Sequence, residues 1–109
     1  MKSDELRKWL DGQLENFPER ASGEEGYEFM IRQTQKVVEM DRAALVQVLT
    51  DWLRLRTVPR TDLAISIAVA HKLSELRDEI ETLLNDVNVG KAFKPYYAKR
   101  IASALEKVK

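Results

Sequence analysis

His71 is the only histidine in this 109-residue chain, and there is no cysteine. A zinc site would have to combine one imidazole with three carboxylates, an unusual ligand set. Disulfides, iron-sulfur clusters and cysteine nucleophiles are excluded outright. His71 follows the almost wholly apolar run Leu63 to Ala70, a place that suits a partly buried, hydrogen-bonded structural imidazole, and its nearest chemical partners along the chain are Glu75 and Asp78. Glu24, Glu25 and Glu28 supply carboxylates, Glu25 and Glu28 at i,i+3 spacing. Acid-base catalysis would need one of them buried beside another. Their glycine-containing, polar surroundings give no cause for burial, and an acidic helix start accounts for them. No Ser-His-Asp order, HExxH, phosphate-cradling glycine loop or EF-hand spacing occurs. The chain is therefore expected to be no enzyme and to need no cofactor or metal.

Two groups of cations remain. Arg54, Arg56 and Arg60 cluster where a helix should end, where positive charge complements the terminal carbonyls. Lys91, Lys94, Tyr96, Tyr97, Lys99 and Arg100 interleave basic and aromatic residues at a helix start, a pattern able to hold phosphates while a tyrosine stacks on a base. Eighteen basic residues balance eighteen acidic ones, so no net field draws in nucleic acid from a distance. The charge is nonetheless segregated. Residues 1 to 28 carry eight acidic against four basic side chains, net −4, and residues 89 to 109 carry six basic against one acidic, net +5.

The elements that must position these residues read as helices throughout. Ser3, Asp4 and Glu5 suit an N-cap and acidic first turn, followed by an apolar stripe of Leu6, Trp9, Leu10, Leu14 and Phe17 that Pro18 stops. Residues 19 to 26 read as loop. Tyr27, Met30, Ile31, Thr34 and Val38 define a second helix, with Asp41 as N-cap of a third lined by Leu45, Val48, Leu49, Trp52 and Leu55. The segment Thr57 to Arg60 ends that helix, and Thr61 or Asp62 is expected to cap the next. Leu63 to Ala70 is apolar nearly all round, as a helix at the centre of a core is. A break near Ser74, with Ser74 as cap, is preferred over one long helix reaching Val87. Gly90 then suits a left-handed C-terminal cap, and Pro95 opens a last helix through Tyr97, Ile101, Ala102, Leu105 and Val108. No strand is expected.

A register also recurs about 35 residues apart: Val38, Leu45, Val48, Leu49 and Trp52 are echoed by Leu73, Ile80, Leu83, Leu84 and Val87. The succession of Leu63 to Leu73, a short joint, Ile80 to Val87, a glycine-containing loop and Tyr97 to Val108 resembles the alternating A and B helices of HEAT-like repeats, over about residues 27 to 109. That resemblance implies a fragment of α-α superhelix used as a binding surface, without catalytic residues.

The expected fold is thus all-α: one domain over 1–109, with an N-terminal helix over 1–17 and repeat-like helices over 27–109. About six helices would form a short superhelix or, alternatively, an irregular bundle. At this length roughly two-thirds of the unfolded surface can be buried without disulfide or metal. The N-terminus lacks an apolar leader and no uncharged run is long enough to span a bilayer, so a cytoplasmic protein is expected. The function this favours is non-enzymatic protein-protein interaction. Self-association of an acidic end with a basic end is a corollary. Nucleic-acid binding through the two cationic groups is the alternative, if they share a face, and a small immunity or neutralising protein is a third reading.

Overall fold

The computed structural model describes the backbone of residues 3–15 and 23–108, and the side chains of 4–12, 28–57 and 60–108. Phe17 and Pro18, and the side chains of Leu14, Glu24, Glu25 and Tyr27, lie outside what is described. The elements are α1 (Ser3–Glu15), α2 (Gly23–Leu55), α3 (Val58–Ala70), a 3-10 turn (Ser74–Leu76), α4 (Arg77–Asn88) and α5 (Tyr97–Val108). The described residues contain no strand. The fold is all-α; among the described residues α2 is two helices meeting at a kink, so with α1, α3, α4 and α5 the helices number about six, as expected.

The kink lies at Asp41. Its backbone leaves the helical region (φ −155°, ψ 75°), so the second and third expected helices meet end to end there and differ from expectation only in having no loop between them. The Asp41 carboxylate accepts a hydrogen bond from the Ala44 amide at 3.1 Å, the N-cap to N3 contact anticipated for it. Helix α2 also starts at Gly23, inside the stretch read as loop.

Helix ends are made by left-handed residues. Gly90 (φ 80°) follows α4, with the Lys91 amide bonding the Asp86 carbonyl at 2.8 Å and the Gly90 amide bonding Val87 at 3.2 Å, a Schellman closure. The chain breaks after Ala70 in the same way without glycine: Lys72 adopts φ 51°, Leu73 N-H bonds the Ala68 carbonyl at 2.9 Å and Lys72 N-H bonds Val69 at 3.3 Å. Residues 62 to 87 are therefore two helices. Ser74 does not cap the second; it begins the 3-10 turn, whose preceding residue Leu73 makes no side-chain cap. Nor do Thr61 or Asp62 cap α3. Thr57 precedes it in extended backbone and Pro59 sits in its first turn, where a missing N-H costs nothing. Pro95 lies in the turn before α5, its carbonyl accepting the Ala98 amide at 3.1 Å.

Lys72→Gly should raise stability by about 0.5–1 kcal/mol, because a side chain in the left-handed region costs about 1–2 kcal/mol and glycine's extra unfolded-state entropy offsets about half of that. Thermal unfolding should register a gain of a few degrees. An unchanged or lowered midpoint would count against strain at this turn.

The two-residue link Arg56-Thr57 folds α3 back onto α2, and α4 and α5 pack as a second pair against α2 and α3, with α1 on the flank of α2. The radius of gyration, 13.3 Å, matches the value of about 13 Å for a compact chain of this length. One core runs through the molecule. Leu63, Ala64, Ile67 and Ala68 of α3 belong to it together with Leu45, Val48, Leu49, Trp52 and Leu53 of α2, Ile80, Leu83 and Val87 of α4, and Ile101 and Val108 of α5, with α3 packed on α2 and α5. Both copies of the recurring register face this core: Val38 and Leu84 are half-buried and the other eight positions are buried. Leu55 departs from its expected stripe and is 58% exposed, because α2 ends there and the chain turns away through Arg56 (φ 55°).

Candidate binding surfaces

The arginines singled out by spacing are all engaged across helices. Arg54 donates to Glu79 of α4 (2.6 Å), Arg56 to Asp86 of α4 (2.8 Å) and Arg60 to Asp11 of α1 (3.2 Å). Arg56 also donates to the Leu53 carbonyl at 2.7 Å, the helix-end role that positive charge was expected to take. Arg7 pairs with Asp51, and Arg42 grips Glu75 with two hydrogen bonds (2.7 and 2.8 Å) and the Lys72 carbonyl with a third (3.0 Å). The Arg42 guanidinium holds the Glu75 carboxyl down to about 2. These pairs tie α1 to α2 and α3, and α2 to the α3–α4 joint and to α4. They neutralise Arg54, Arg56 and Arg60, the first of the two cationic groups that spacing had suggested for phosphate binding.

The two cationic groups nevertheless meet. Asp86 accepts Arg56 through its carboxylate and the Lys91 and Ala92 amides through its carbonyl, while Arg100 lies 3.7 Å from Asp62. The α2–α3 corner and the α4–α5 loop thus form one end of the molecule. Its exposed lysines Lys91, Lys94 and Lys99 have no carboxylate partner among the described residues, whereas the exposed Arg54 and Arg100 face Glu79 and Asp62. Beside them Tyr96, 68% exposed, stacks on Tyr97 with ring centroids 4.7 Å apart, and Phe93 tilts against Tyr97 at 5.3 Å. Hydrogen bonding to Tyr96 pushes the Tyr97 phenol up. Phe93 is held at φ 52°, an uncommon backbone for an aromatic residue.

His71 is not paired with Glu75 or Asp78. Its Nε2 lies 2.9 Å from the hydroxyl of Thr34, a fully buried residue of α2, whose oxygen is also 2.9 Å from the Met30 carbonyl. The hydroxyl also lies 3.1 Å from the Ile31 carbonyl, and the imidazole tautomer sets which partner donates in the Thr34–His71 bond. Burial pushes the His71 pKa down, a hydrogen bond to the Ile31 backbone opposes this, and the Arg42 charge adds to the lowering. These contacts tie the imidazole to α2 within the fold. Glu28 is exposed, and no three potential metal ligands converge among the described residues.

Spacing did not reveal one further feature, an open groove of about 310 Å³ where α2, α3 and α5 meet. Ile31, Ile65 and Val69 supply its apolar surface, Ser66, Ala70, Ser103 and Ala104 keep it shallow, and Arg100 and Lys107 stand along α5. The signal was present as two cations at i,i+7 in α5, but small residues at helical spacing look the same in a closed helix contact.

Comparison with known proteins matched no family model, no curated protein and no solved structure. Among the described residues, no helix is long and apolar enough to cross a membrane.

Proposed function

We propose that this chain is a non-enzymatic protein-binding module, a single all-helical domain organised as a short HEAT-like stack, with the α2–α3–α5 groove as its working surface. The observation that carries this reading is the groove itself, which combines apolar lining with cationic side chains while much of the remaining charge is spent on internal pairs. The paired packing of α2 with α3 and of α4 with α5 supports the repeat-like description. Among the described residues, neither His71 nor the carboxylates form a constellation with a proton to move, which supports a role without catalysis.

Affinity purification from native extract tests the reading by comparing the unaltered chain with Ser103→Trp, which fills the groove from an exposed position. At least one protein should be retained by the former and lost with the latter. Identical retention by both rejects the groove as the working surface.

Tyr96 favours one second reading, binding of single-stranded nucleic acid, because an exposed ring stacked from behind and flanked by Lys94 and Lys99 offers a face to a base. Titration with labelled single-stranded DNA at low salt should then show binding that triple replacement of Lys91, Lys94 and Lys99 by Gln abolishes. Absence of binding, or indifference to those replacements, rejects it.

A further inference from the structure

We infer that the groove receives an acidic amphipathic helix from a partner protein, an inference that rests on the protein-binding reading above. The charge that faces an occupant is positive. Arg100 and Lys107 lie seven residues apart on α5, two helical turns or about 10 Å, and both line the groove. Lys107 has no carboxylate partner among the described residues, and the contact of Arg100 with Asp62 is long at 3.7 Å, with the arginine half-exposed. Carboxylates two turns apart on an approaching helix match that spacing, while its apolar stripe meets Ile31, Ile65 and Val69.

The form of the occupant follows from the walls. The groove is bounded by helices whose interior backbone groups are already paired, and the described residues contain no strand edge, so an extended peptide has no ladder to join. A trough between packed helices instead takes the ridge of another helix, read by anchors at i, i+3, i+4 and i+7. At about 310 Å³ and open along one side, it admits a few side chains from a rod laid across it and does not enclose a small molecule. A nucleic-acid strand would gain from the two cations but nothing from the aliphatic surface, and the exposed aromatic ring lies at Tyr96, outside the groove.

A display library of 16-residue helix-forming peptides, selected against the full chain, tests this directly. Enriched sequences should carry Asp or Glu two turns apart beside an apolar stripe. Their affinity should fall at least tenfold with the double variant Arg100→Glu/Lys107→Glu, and independently with Ser103→Trp, in proteins whose circular dichroism and melting match the unaltered chain. Replacing the peptide carboxylates by lysine should restore binding to the double variant. Enrichment of neutral or basic peptides, no enrichment, indifference to both variants, or displacement of groove-bound peptide by single-stranded DNA overturns the inference. If partners from extract still depend on Ser103 while the library yields no acidic helix, the protein-binding reading stands and this one falls; if neither depends on the groove, both fall.

Discussion

Trp52→Ala should remove about 3–5 kcal/mol of stability, the range for truncating a buried aromatic residue to alanine. Trp52 is 1% exposed, belongs to the continuous core and comes from the part of α2 beyond the Asp41 kink. For a domain of this size the loss is a large share of a total of about 5–15 kcal/mol and should lower the melting temperature by roughly 15–30 °C. The cost is mainly lost apolar contact, because the indole N-H has no hydrogen-bond partner among the described residues and contributes nothing to offset it. Trp52→Phe should accordingly cost much less, about 1–2 kcal/mol, since it keeps most of the apolar area and removes the unpaired donor. Urea unfolding of the two variants measures the difference. Equal losses would mean that the polar edge of the ring, and not its volume, matters here.

Thr34→Val should cost about 1–2 kcal/mol despite conserving shape, because it leaves the half-buried imidazole of His71 without its hydroxyl hydrogen-bond partner. The same pair predicts a pH dependence. Burial lowers the His71 pKa in the folded chain below its ordinary 6.5, so the unfolded chain takes up the proton first as pH falls. Stability from this group is therefore level above about pH 6.5 and declines as pH drops below that value toward the folded pKa. His71→Gln retains an N-H donor but does not titrate, and its unfolding midpoint should change less between pH 7 and pH 5 than that of the unaltered chain. A steeper decline in the variant would reverse the sign and reject the neutral imidazole. The Arg42–Glu75 pair acts in a separate window, since Glu75 is held down to about 2 from an ordinary 4.5. Its contribution is present above 4.5 and fades as pH falls toward 2. With side-chain exposures of 40% and 42%, the pair is worth no more than about 1 kcal/mol.

Much of the fold is legible along the chain because the relevant physics is local. An apolar side chain every three or four residues identifies the inward face of a helix wherever its neighbours lie, which is why the register from Val38 to Trp52 and from Leu73 to Val87 faces the core. Asp41 and Gly90 also act locally, through contacts at most five residues away. The same reasoning misplaced Ser74 and Thr61, since a cap-forming residue type marks a helix start only when the backbone there is not already inside a turn or a helix. At Lys72 a non-glycine residue takes the left-handed position, so the break carried no punctuation to read.

By itself, then, the sequence determined an all-α chain, the inward face of each described helix, the exclusion of thiol chemistry and the charge difference between its ends. Only the tertiary structure decided what those charges do. Arg54, Arg56 and Arg60 meet Glu79, Asp86 and Asp11 at separations of 25, 30 and 49 residues, and Thr34 meets His71 across 37. Helical periodicity reports which way a side chain points and carries no information about which helix stands opposite. That is set by how the helices pack, and the same packing turns ordinary faces of α2, α3 and α5 into a groove and leaves Lys107 beside it.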